Sequence, residues 1–102
     1  MSLKITVHER FDEDRQLSPL EQVTTDMLSK FGQVSRIDWS MQDGKPHAIV
    51  YLYTAMYESA ENLRDLFVRL LGGASKVAGI ARKCTEDERS HDLQWCIELS
   101  FK

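Results

Sequence analysis

The sequence predicts an α+β domain in which an antiparallel sheet is covered on one face by two helices. Three observations carry this reading. Residues 93–102 place Leu93, Trp95, Ile97, Leu99 and Phe101 on one parity and Gln94, Cys96, Glu98, Ser100 and Lys102 on the other. Successive strand side chains point to opposite faces, so this alternation describes a strand with one dry side. Two upstream stretches repeat apolar residues at helical spacing and can cover that side. Between them, Asp43-Gly44 separates two extended segments, which is a hairpin signal.

The elements follow in order. Residues 3–11 read as a first strand, with Leu3, Ile5 and Val7 on one face. A polar loop leads to Ser18-Pro19-Leu20-Glu21, which places serine at a helix N-cap, proline at the first helical position and glutamate at the third. Leu20, Val23, Met27, Leu28 and Phe31 are the expected buried stripe of this helix, and Gly32 its expected stop. Ile37, Trp39 and Met41 alternate with Arg36, Asp38 and Ser40 in a second strand. Residues 47–53 form a third strand that is apolar on both parities, the pattern of a central strand, and Pro46 belongs near the turn. A second helix begins near Ser59, buries Leu63, Leu66, Phe67, Leu70 and Leu71, and ends at Gly72-Gly73. Residues 76–84 and 92–101 are the fourth and fifth strands, joined by a polar loop.

The first six elements, β-α-β-β-α-β, resemble the ferredoxin-like plait, and the extra C-terminal strand is expected to extend the sheet beside the fourth. Matching the apolar parities sets Trp95 opposite Ile80 and Ile97 opposite Ala78. In that register Cys84 and Cys96 lie several residues apart, so both are expected to stay reduced.

A chain of 102 residues fits one domain, residues 1–102. Apolar residues are 42%, charged residues 28% and the mean hydropathy is −0.38. No apolar run approaches the ~20 residues of a membrane span, and the N-terminus alternates like a strand instead of opening as a signal peptide. The expected compartment is the cytoplasm. A net charge of −3 counts against nucleic-acid binding, which draws on lysine and arginine.

The element order is also that of RNA-recognition motifs. Against that family's longer signature, Lys45, Ala48 and Val50 agree, whereas Pro46, His47, Ile49 and Leu52 do not, and the base-stacking aromatic positions hold His47 and Ile49. Among enzymes of the plait, acylphosphatases need a glycine-rich arginine loop after the first strand; here residues 12–16 contain no glycine. The signature histidine of nucleoside diphosphate kinases and the CxxC of copper chaperones are not seen. His8, His47 and His91 lack ligand spacing, and Cys84 and Cys96 lack a CxxC neighbour, so no metal or cofactor is expected. The carboxylates of residues 9–15 and 86–89 read as solvated loop charge.

What remains is the sheet face away from the helices. Ile49, Tyr51 and Tyr53, with His47 on the same parity, are the expected partner-binding residues, because clustered exposed aromatics mark interfaces. The expected function is a non-catalytic, protein-binding module of the adaptor, inhibitor or immunity type. It would dock a partner protein, or a second copy of itself, through this open face or an edge strand. The alternatives from other classes are single-stranded nucleic-acid binding on the same face, and small-ligand sensing by a dimer resembling ACT domains.

Overall fold

A strand with apolar residues on both parities needs neighbours on both edges and cover on both faces. Residues 45–52 obtain the neighbours in the computed structural model, which describes residues 16–85, 88 and 95–102. The described elements are α1 (Pro19–Leu28), β1 (Val34–Gln42), β2 (Lys45–Leu52), α2 (Tyr57–Leu70), β3 (Val77–Lys83) and β4 (Trp95–Phe101). The strands form a four-stranded sheet in the order β1-β2-β4-β3, and each neighbouring pair is antiparallel. The class is therefore α+β, with an antiparallel sheet and two helices. The expected first strand at 3–11 and the start of the expected fifth strand at 92–94 lie outside the described residues.

The position of β4 differs from expectation. It pairs with β3, as the sequence suggested, but its other edge pairs with β2, so it is an interior strand and not an added outer one. In a ferredoxin-like plait that interior place belongs to the strand before the first helix.

Register sorts the side chains. Ile37 and Trp39 of β1 face the helices together with Ala48, Val50 and Leu52 of β2, Ile97, Leu99 and Phe101 of β4, and Val77 and Ala81 of β3. Leu28 of α1 and Ala60, Leu63 and Phe67 of α2 close the same core, so both helices cover one face. Phe31 meets Phe67 edge-on at 5.2 Å, and Trp39 lies 5.8 Å from Phe101.

The β3–β4 register is shifted from the expected one. Ile80 opposes Glu98 and Ala81 opposes Ile97, so Ile80 points away from the core and is exposed. The inward positions go to Val77, Gly79 and Ala81 because α2 crosses closely here. A Cβ on Gly79 would stand 2.9 Å from both Arg64 Cγ and Val68 Cγ2. Gly79 and Ala81 therefore hold the covered side where α2 crosses, and Ile80 between them falls on the uncovered side.

The hairpin between β1 and β2 forms as its turn residues require, with positive φ at both Asp43 (54°) and Gly44 (75°). Gly72 and Gly73, with φ of 114° and 94°, follow α2 as expected. The capping box of α1 is present: Glu21 N–H donates to Ser18 Oγ at 3.3 Å, and Ser18 N–H donates to Glu21 Oε1 at 2.9 Å. The buried stripe is the expected one only in part. Leu28 is buried and Phe31 packs on the core as expected, but Leu20 and Val23 are exposed, and the other buried positions of α1 are Glu21 and Thr24. A directional bond accompanies this rotation, since Trp39 Nε1 donates to Thr25 Oγ1 at 2.7 Å and holds the threonine side of the helix to the sheet. α1 ends at Leu28 with Ser29 as C-cap, ahead of the expected stop at Gly32. α2 begins at Tyr57, two residues before Ser59, and Leu70 is exposed.

Replacing Gly79 by alanine is expected to destabilise the domain by ~1–3 kcal/mol, since the added methyl meets a branched valine and an arginine stem. Gly32→Ala, with nothing within 4 Å, is expected to stay within ~0.5 kcal/mol of the parent. Urea unfolding of the two variants side by side checks both.

Candidate functional site

The face away from the helices is built from three rows that cross all four strands. Arg36, Tyr51, Cys96 and Arg82 form one; Asp38, Ile49, Glu98 and Ile80 the next; Ser40, His47, Ser100 and Ala78 the third. The same parities that place alternating apolar residues under the helices therefore gather the polar residues of β1, β2 and β4 here. Asp38, Ser40, His47, Arg82, Glu88 and Glu98 line a cleft of about 240 Å³ on this face.

His47 is buried and has a partner for each ring nitrogen. Nδ1 lies 3.0 Å from Ser100 Oγ, and Nε2 lies 3.1 Å from Glu98 Oε1. The other Glu98 oxygen accepts from Arg82 Nε. Arg82 then forms a two-pronged pair with Glu88: Nη1 donates to Oε1 at 2.8 Å and Nη2 to Oε2 at 3.0 Å. Thr85 N–H adds a third nitrogen donor to the Glu88 carboxylate, 2.9 Å from Oε1. The guanidinium bonds, followed by the Thr85 amide, outweigh partial burial and pull the Glu88 carboxyl from 4.5 down to about 2. The same contacts push the Arg82 pKa upward.

Beside this chain sits a small apolar cluster of Tyr51, Cys84 and Cys96, with Ile49 against it. The Arg36 guanidinium lies 4.1 Å above the Tyr51 ring. Burial, then the charge of Asp38, pushes the Tyr51 phenol up to about 12. The sulfurs of Cys84 and Cys96 are 2.6 Å apart. This corrects the expectation that the two thiols do not meet: with Arg82 opposite Cys96, Cys84 follows just beyond the end of β3 on the same side.

Of the expected partner-binding residues, His47, Ile49 and Tyr51 do share the face opposite the helices, as their parity implied. His47 and Tyr51 are buried there, and Ile49 is partly buried against the second cluster. Tyr53 is the exposed member. It lies beyond the end of β2, and Met56 and Tyr57, three and four positions on at the start of α2, are exposed as well: Tyr53 is 54% exposed, Met56 60% and Tyr57 43%. Tyr57 packs on Trp95 at 5.0 Å between ring centres, and Trp95 pairs with Leu52. Sequence reasoning missed Met56 and Tyr57 because it started the second helix later. It missed Arg82, Glu88 and Glu98 because only the register shows that they converge. His8, His91 and most of the acidic stretches at 9–15 and 86–89 lie outside the described residues.

Ser100, His47 and Glu98 place a hydroxyl, an imidazole and a carboxylate in sequence, an order that activates nucleophiles in hydrolases. Here Glu98 is shared with Arg82, and Ser100 does not line the cleft. The chain of bonds supplies partners for a buried imidazole. Cys84, Glu88 and Cys96 bring their ligand atoms within 4.8 Å of one another, a grouping that can be weighed as a metal site.

Comparison with protein-family models, with curated proteins and with solved structures finds no match to this chain. Among the described residues, no helix is long and apolar enough to cross a membrane.

The depressed Glu88 carboxyl sets a pH dependence. Its pairing with Arg82 contributes stability in full above pH 4.5, and that contribution is lost as pH falls towards 2. Loss of about 2 kcal/mol across this window is expected for the parent, from the linkage of the lowered pKa to folding. Glu88→Gln should flatten that part of the profile in denaturant titrations run at successive pH values.

Proposed function

We propose that this chain is a non-catalytic protein-binding module of the adaptor or inhibitor kind, and that it docks its partner on the apolar rim of Tyr53, Met56 and Tyr57. The observation that carries the proposal is the exposure of these three side chains, close together in sequence where β2 gives way to α2. Tyrosine and methionine are enriched in protein interfaces, and Tyr57 rests on the half-buried Trp95. This differs from docking on the flat sheet face, where buried Tyr51 and His47 offer little ring surface. The net charge of −3 supports a protein partner over a nucleic acid. A second copy of the chain is one such partner. The α-β-β-α-β order of the first described elements supports reading the fold as a variant of the ferredoxin-like plait.

The variant Tyr53→Ser with Met56→Ser, which leaves Tyr57 on Trp95, tests the rim. Because both changed side chains are exposed, the thermal midpoint should hold. Affinity capture from the native host should then lose the partner retained by the parent, and sedimentation should lose any concentration-dependent dimer. Retention of the same partner by the double variant overturns the rim as the docking surface.

A further inference from the structure

We propose that Cys84 and Cys96 are a disulfide-forming pair, a modification site at which a peroxide cross-links the end of β3 to β4. The two sulfurs lie 2.6 Å apart, closer than the roughly 3.5 Å of non-bonded heavy atoms. A disulfide bond of about 2.05 Å is reached by closing this gap by roughly half an ångström. Shared zinc ligation, at about 2.3 Å from metal to each sulfur in a tetrahedral site, needs the sulfurs to move apart by roughly an ångström. Glu88, the third member of this cluster among the described residues, already has both oxygens bound to Arg82. Geometry therefore favours the bond over the metal.

The surroundings fit the same outcome. Both cysteines are buried beside Tyr51, so a disulfide here replaces two thiols with an apolar link in an apolar cluster. Burial, then the contact with Cys84, pushes the Cys96 thiol pKa up. An upward shift disfavours the thiolate and with it rapid thiol exchange. In the reaction the Cys84 sulfur attacks one peroxide oxygen; the O–O bond breaks, giving a sulfenic acid and water. The Cys96 sulfur then attacks Cys84, the S–O bond breaks, and the displaced hydroxide leaves as water with the Cys96 proton. Two thiols and one hydrogen peroxide become one disulfide and two waters, with two electrons passing from sulfur to oxygen.

Treating the purified chain with hydrogen peroxide, followed by alkylation in denaturant and intact-mass measurement, tests this. The expected product is a monomer lighter by two hydrogens, with both cysteines refractory to alkylation until dithiothreitol is added. Its thermal midpoint should exceed that of the reduced chain by roughly 10 °C, because the link closes a loop in the unfolded chain. The Cys84→Ser, Cys96→Ser double variant should show no peroxide-dependent shift. The proposal is overturned if both thiols remain alkylatable after peroxide or carry separate oxygen adducts. Covalent dimers, or zinc retained by the reduced parent and lost by the double variant, would also overturn it.

Discussion

The pairing of β4 on both of its edges is the constraint on which the rest of the structure depends. Ile97, Leu99 and Phe101 complete the floor beneath the helices, while Cys96, Glu98 and Ser100 supply the middle of the opposite face. Without β4, β2 and β3 have no shared ladder. The polar chain from Ser100 to Glu88 then loses its centre, because His47 reaches β4 from one side and Arg82 reaches it from the other.

That opposite face solves a problem that a one-sided sheet creates. Its middle is partly enclosed and contains the His47 imidazole, the Arg82 guanidinium and the carboxylates of Glu88 and Glu98. An unpaired charge there would be strongly destabilising, so each group meets a partner of opposite or complementary character. The cost of desolvating such groups means that the network contributes less to net stability than its bonds suggest. Its clearer effect is geometric, because bonds at fixed distances oppose any slip of β3 or β2 against β4.

Much of this was legible in the sequence where a local rule has a local cause. The Ser18–Glu21 capping box, the Asp43-Gly44 turn, the two-sided apolar character of β2 and the glycines after α2 all depend on neighbouring residues and all stand as read. The expectations that changed were those governed by distant residues. The rotation of α1 accompanies a bond from Trp39, fourteen residues away from Thr25, and apolar spacing alone put Leu20 and Val23 inward beside Leu28, where only Leu28 is buried. The inward parity of β3 was decided by the close approach of α2 over Gly79, a steric fact with no hydrophobic signature. The meeting of Cys84 with Cys96, and of Arg82 with Glu98, followed from that same register. Parity did identify which residues share a face; it could not show that Tyr51 and His47 would be enclosed there.

The interior place of β4 also has a kinetic side. His47 and Ser100 are cross-strand partners separated by fifty-three positions in the chain, whereas β1 and β2 are joined by a two-residue turn. The hairpin can therefore form from local contacts, but the sheet is not complete until β4, a remote segment, closes on the inner edge of β2. Ordering the intervening chain before that closure is rewarded slows the search, as for topologies of high contact order. Until it closes, the inner edge of β2 is an unpaired template, so the interval before closure is when this chain is most open to pairing with strands of other molecules.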